Sequence, residues 1–364
     1  MKHEDKAFSA DAESRGWRGQ DYINIDTKER YGRGLRWKLG IDTTPCIRSR
    51  KGKRCSFCGF LNRHGQVSPL QVGQVFNSVF LNRNLRNIDR IELYVSGSFF
   101  DDEEVSFNSR LEIIESIRES GIEEVVLESR PEFTTKENLQ ALANAIDPGR
   151  ITIAVGVETT DDNLRRRLSK DFSMKDLTVT VDRIARAGMN FQAYLLLKPP
   201  AIINDREAVV DVIQSSRTII GLTRRMNCPL TLAIQPFFLA RNSVVAQEGL
   251  KGDHIRPPWL YTVALTVKLL DAMRARDSMC CRVILGNEVD NVDIVLASSN
   301  YSGDGGVCSC SEGIRELLRE INISRDKLEE SVDSVLASQC RCKTAWQREI
   351  GPMFGESLSV GQPA

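Results

Sequence analysis

The sequence lacks long apolar runs: in 364 residues no stretch nears the roughly 18 that a membrane-spanning helix needs. Its opening, MKHEDKAFSADAESRGWRGQ, is too polar for a secretory signal. Charge of one sign is also missing. Lys plus Arg and Asp plus Glu both number 49, so the net charge is zero and the chain as a whole does not call for nucleic acid. No recognisable RNA-binding module is present. The expectation is a cytoplasmic protein, a setting in which thiols stay reduced and clustered cysteines are more often metal ligands or catalytic groups than disulfides. With 41% hydrophobic residues, the chain is long enough to bury a sizeable core.

What is present first is an alternation. Short aliphatic or β-branched runs recur from residue 35: LRWKLGID (35–42), RIELYVSG (90–97), EVVLESR (124–130), ITIAVGVET (151–159), FQAYLLLKPP (191–200) and LTLAIQPFF (230–238). Most are nearly continuously apolar, the pattern of parallel strands covered on both faces. Amphipathic segments lie between them, such as FNSRLEIIESIRES (107–120) and REAVVDVIQSSRTII (206–220). Ser173 followed by Asp176 predicts a helix start, and Gly188 its end. Six strand-helix repeats make a parallel α/β barrel, complete or partial, or a doubly wound sheet, with functional groups at the C-terminal ends of the strands. Residues 1–34 read as a mobile or draped arm, 35–285 as the core, and 286–364 as a cysteine-rich extension.

Ten cysteines are unevenly spread, and three fall in TTPCIRSRKGKRCSFCGF (43–60). Cys46, Cys55 and Cys58 are spaced C-x8-C-x2-C after the first run. Three thiolates do not close a structural zinc site, and the nearest histidine, His64, lies six residues on; a Cys3His zinc site is one reading. A cluster of four irons fits the spacing better, because three thiolates leave one iron open to an external ligand. Cys308, Cys310, Cys340 and Cys342 form two close pairs, for which zinc, an auxiliary iron-sulfur cluster and unbound thiols all stand open. Cys228, Cys280 and Cys281 read as core residues.

With aromatic Phe57 before its last cysteine, the loop resembles that of the radical S-adenosylmethionine superfamily, whose usual signature is C-x3-C-x2-C. The longer first gap is similar to that of the branch containing the catalytic subunit of the elongator complex. Five further stretches, YVSGSFFDDEEV (94–105), ESRPEF (128–133), VGVETTDDNLRRRLSK (155–170), YLLLKPP (194–200) and RPPWLYTV (256–263), resemble in order the motifs of the archaeosine-synthase radical subunit family. The likeness spans residues 35 to about 285, whereas 287–306 departs from the family's glycine, histidine and cysteine run.

The resemblance implies a partial (βα)6 barrel, a [4Fe-4S] cluster on Cys46, Cys55 and Cys58, and S-adenosyl-L-methionine (SAM) cleaved to a 5′-deoxyadenosyl radical. It also implies an electron donor such as flavodoxin or ferredoxin, and lyase chemistry on a carbon-nitrogen bond of a modified tRNA nucleoside. Ser96, Gly97 and Ser98 take the place of the glycine-rich motif that receives the methionine amine. Phe57, Glu128, Ser129 and Arg130 join the cofactor site, with Arg130 suited to pair with a carboxylate. Glu158 and Lys198, each closing an apolar run, are the candidates for catalytic and cofactor contacts, and Gln235 for an adenine edge or a satisfied core group. Asp101 to Glu104 read as a solvated helix start, and Trp259 as packing.

Competing functions remain at this level. The same chemistry on a free small molecule or peptide suits the neutral chain. A non-catalytic, zinc-stabilised binding protein is the alternative from another class. Arg30, Arg33, Arg36, Arg48, Arg50, Lys51, Lys53, Arg54 and Arg63 make a candidate phosphate-tracking patch for tRNA, unless a partner protein carries that duty.

Overall fold

The six apolar runs all become strands of one sheet, joined side by side in chain order. The computed structural model describes residues 22–59, 66–249, 255–276, 281–286, 294–302 and 305–351. Its main sheet runs β1 (Ile23–Tyr31), β2 (Gly34–Ile41), β3 (Ile88–Tyr94), β4 (Glu124–Glu128), β5 (Ile151–Glu158), β6 (Asn190–Leu197), β7 (Leu230–Pro236), then β9 (Cys281–Leu285). From β2 to β9 every neighbour is parallel, with Leu39 beside Leu93, Leu93 beside Leu127, Leu127 beside Ile153 and Ile153 beside Phe191. A small antiparallel pair, β8 (Leu239–Ala240) and β10 (Ile294–Leu296), stands apart.

Outer-facing residues pack under helices that begin where their sequences supply caps. Ser106 accepts from Ser109 N to start the helix Phe107–Ser120, and Thr135 accepts from Asn138 N to start Lys136–Ala145. Ser173 and Asp176 form the reciprocal capping box that their spacing predicts, and Gly188 takes the left-handed φ of +72° just past the helix end. Asn204 caps the long helix Asp205–Arg225.

The sheet curls into a partial barrel. Tyr31, Val126, Ala154, Tyr194, Ala233 and Ile284 come from six different strands and make one inner cluster. Across the gap, the guanidinium of Arg282 on β9 stacks over the ring of Tyr31 on β1 at 4.0 Å. One side of the interior is charged. Arg36 and Lys38 alternate inward from β2 and meet Glu29 of β1 at 2.5 and 3.0 Å, and Arg90 of β3 meets Glu92 at 2.6 Å and Gln192 of β6 at 2.7 Å.

Residues 23–31, expected as part of an arm, are thus a strand that pairs antiparallel with β2 through a turn at Gly32 (φ +59°). Its alternation is real but chemically disguised: the inward position Glu29 is charged because it answers Arg36 and Lys38, so no apolar period shows.

Residues 308–350 build three helices, Ser311–Arg319, Arg325–Ala337 and Arg341–Ile350, beside the barrel helices Asp205–Arg225 and Leu260–Arg276. Ile314, Leu328, Val335 and Trp346 join the barrel's own buried cluster, and Trp346 Nε1 donates to Thr262 Oγ1 at 2.9 Å. No helix among the described residues is long and apolar enough to cross a membrane.

Candidate active site

At the C-terminal ends of β2 to β7 lies a cavity of about 360 Å³. Its wall contains Cys46, Cys55 and Cys58 together with Phe57, Ser96, Gly97, Glu128, Ser129, Arg130, Glu158 and Gln235. Two nominated residues are not in that wall, Ser98 and Lys198.

The cysteine loop is held by its own arginines. Arg50 donates to Pro45 O at 2.5 Å and pairs with Asp101 at 2.7 Å, while Arg48 is buried against Asp171 and donates to Ser169 O at 3.0 Å. Arg54 reaches Cys58 O at 3.1 Å and Asn242 O at 3.3 Å. With Arg36 in the barrel interior, four of the nine residues nominated as a phosphate-tracking patch are spent on internal contacts, and of the eight among the described residues Arg30, Arg33, Lys51 and Lys53 are exposed. Arg63, His64 and Cys280 lie outside the described residues.

Gly97 is a close-approach glycine. A Cβ added there would stand 2.2 Å from Cys46 Cβ and 3.1 Å from Cys46 Cα, so no other residue fits against the loop in this position. Ser96 is tied on either side of Thr43, its N–H to Thr43 Oγ1 and its hydroxyl to Thr43 O, both at 3.1 Å. Ser98 turns away and meets Ser129 Oγ at 3.1 Å, and its N–H donates to Glu104 Oε2 at 3.1 Å. The four acids at 101–104 do not form a solvated helix start. Asp101 and Glu104 are buried, one against Arg50 and one under Ser98, and burial pushes the Glu104 carboxyl up to about 8.

Glu158 and Lys198 end consecutive strands, and both have left-handed backbone, φ +65° and +62°. A register shift between Gly156 and Glu158 accompanies the first. Glu158 faces the cavity and pairs at 2.6 Å with Lys170, which also donates to Gly156 O at 2.6 Å and lies 6.0 Å from the Phe57 ring centre. Lys198 is instead buried on Asp205 at 2.5 Å, with exposures of 4% and 0%. That pairing removes it from the cavity wall, because a desolvated ammonium holds to the nearest carboxylate. Arg130 lines the cavity while bonded to Glu132 at 2.6 Å and Asp171 at 3.2 Å. Burial raises the Cys55 thiol on balance, and Lys170 and Arg130 offset only part of that rise.

No protein-family model matches the chain. Among curated proteins it is similar to the archaeosine synthase subunit beta of Methanosarcina acetivorans, 23% identical over 346 residues that cover 92% of this chain and 88% of the relative. The subunit beta of Thermococcus kodakarensis is 26% identical over 230 residues, 61% of this chain and 68% of the relative. These relatives support the resemblance to the radical S-adenosylmethionine superfamily, in an archaeosine-synthase-like branch. Among solved structures, the crystal structure of SuiB from Streptococcus suis covers 68% of the chain at 10% identity and a TM-score of 0.48. The chain spans about half of SuiB, 48% of its length.

Lys170 lines the cavity but was not nominated by the motif reading, Arg54 lines it although it was read only as part of a phosphate-tracking patch, and Asp171 stands behind the wall, paired with Arg48 and Arg130. Lys170 closes the quoted stretch VGVETTDDNLRRRLSK, and its place twelve residues after Glu158 was its one sequence signal. Cys308, Cys310, Cys340 and Cys342 come together away from the cavity wall, their sulfurs all within 4.8 Å of one another. Cys228 and Cys281 are buried core thiols, each pushed up to about 12 by burial.

Proposed function

We propose that this protein is a radical S-adenosylmethionine enzyme whose Cys46, Cys55 and Cys58 hold a [4Fe-4S] cluster, with S-adenosyl-L-methionine in the cavity beside them. The observation that carries this reading is the convergence of three thiols and the polar ends of β3, β4 and β5 on one cavity. When bound, such a cluster supplies the electron that cleaves the cofactor to a 5′-deoxyadenosyl radical. Three protein thiolates leave one iron position for the cofactor's amino and carboxylate groups. The backbone at Gly97 has no side chain between it and the loop. Arg130 and Lys170 place positive charge beside the Cys55 sulfur. Glu158, oriented by Lys170, offers a carboxylate to hydroxyl or amine donors. The apolar side chains Phe57, Leu196 and Phe237 limit water on one side of the cavity.

For substrate we infer a modified nucleoside of transfer RNA, with a carbon-nitrogen lyase outcome and a partner subunit. Support comes from the relatives called subunit beta of archaeosine synthase, one of which aligns over 88% of its length. With four of the nine candidate basic residues turned inward, the partner is the better source of the phosphate-binding surface. The electron donor is a small redox protein of the flavodoxin or ferredoxin type.

The test is anaerobic reconstitution with iron, sulfide and reductant, followed by measurement of 5′-deoxyadenosine. Cys46→Ala, Cys55→Ala and Cys58→Ala should each abolish its formation. Adding bulk archaeal tRNA lacking archaeosine, together with the partner subunit, should raise it several-fold. No 5′-deoxyadenosine from an intact cluster would overturn the radical reading, and indifference to tRNA would overturn the substrate reading alone.

A further inference from the structure

We propose that Cys308, Cys310, Cys340 and Cys342 hold one tetrahedral zinc ion, not a second cluster, and that this ion anchors a clamp across the exit of β6. Size decides between the two. Cys308 Sγ lies 3.5 Å from Cys340 Sγ, Cys310 Sγ lies 3.5 Å from Cys342 Sγ, and all four sulfurs fit within 4.8 Å. A single ion with four bonds of about 2.3 Å sets its sulfurs about 3.8 Å apart. A cubane places a separate iron under each thiolate and needs a wider set.

The surroundings suit four thiolates on one ion. Both pairs sit at helix beginnings: Cys310 precedes Ser311–Arg319, and Cys340 precedes Arg341–Ile350, so each pair faces the positive end of a helix. Asn300 Nδ2 donates toward Cys310 Sγ at 3.5 Å, and Tyr261 Oη stands 3.7 Å from Cys342 Sγ, which are the outer contacts that orient metal-bound sulfur. Cys308 N donates to Asn300 O at 2.7 Å, fixing the first pair to the same turn.

The helix that starts at this site ends on the barrel. Glu349, in its last turn, accepts from Asp205 N at 3.2 Å and from Trp259 Nε1 at 2.8 Å. Asp205 in turn accepts from Trp259 N at 2.9 Å and pairs with Lys198, the residue after β6. One ion thus fixes one end of a ten-residue helix whose other end braces Lys198 and Asp205.

Metal analysis of the full chain tests this directly. The expected result is about one zinc per chain, unchanged in a variant carrying Cys46→Ala, Cys55→Ala and Cys58→Ala, and reduced at least tenfold by Cys308→Ser with Cys340→Ser. Should the second variant fail to fold, the wild type serves: titrating it with a mercurial should release the zinc, and growth with cobalt should give the visible bands of tetrahedral thiolate cobalt. Iron with acid-labile sulfide retained by the Cys46, Cys55, Cys58 variant would overturn the proposal. So would four freely alkylated thiols, or a disulfide, in protein without zinc.

Discussion

Asp211 shows how one buried carboxyl sets a pH dependence. Its Oδ1 accepts from Thr159 Oγ1 at 2.8 Å, its Oδ2 has no partner, and burial pushes it from an ordinary 3.8 up to about 6. The folded chain therefore holds this proton more tightly than the unfolded chain. The contribution is complete below about 3.8 and is lost as the pH rises through about 6. Asp211→Asn should raise stability by about 1 kcal/mol at pH 7.5, after allowance for partial exposure, with the gain vanishing near pH 4. Thermal midpoints of both proteins across that range check it, and a gain that persists unchanged at pH 4 would show that the proton is not the cause. At this scale sequence reading separates only some cases. Glu158 and Lys198 look alike along the chain, each ending an apolar run. What distinguishes them is Lys170 at one strand end and Asp205 at the other, partners brought in by the turn and helix that follow. Glu104 was illegible for the same reason, since its position under Ser98 depends on how a four-residue turn folds back.

At the scale of elements, the strands were legible because burial on both faces writes itself as unbroken apolar sequence. β5, ITIAVGVE, is the clearest instance. The helix start at Ser173 was legible because its capping is local. β1 was hidden because its inner face is matched to charges on β2, which no local pattern reveals. The contact between the end of β3 and the cysteine loop carries a prediction of its own. Gly97→Ala puts a methyl group 2.2 Å from Cys46 Cβ, and backbone close behind it limits the relief that rotation can give. The loop must shift by about an ångström or more. The expected outcome is a several-fold loss of iron retained after anaerobic reconstitution, with the circular dichroism of the barrel unchanged. Full iron content in that variant would mean that the loop moves freely relative to β3.

At the scale of the whole molecule, two devices tie distant parts of the chain together. The first is the facing pair of its outer strands, where Arg282 covers Tyr31. The second is the carboxyl-terminal clamp, where Glu349 holds Trp259 and Asp205 together above β6. The tail reads in the sequence as a cysteine-rich extension, not as a brace, because nothing near Glu349 points to residues 90 and 144 positions earlier. Glu349→Ala would leave the Trp259 indole N–H and the Asp205 N–H without acceptors. Each orphaned donor costs about 1–3 kcal/mol where water does not replace the lost partner. The variant should melt several degrees lower and lose protease resistance first between residues 338 and 351, while still holding the metal of the four-cysteine site. Glu349→Gln retains an amide oxygen for one of the two donors and should recover part of the loss. Hydrogen exchange across Arg341–Ile350 and Leu260–Arg276 distinguishes a brace from a surface contact. In a brace both helices exchange faster together in the alanine variant, whereas in a surface contact only the first does.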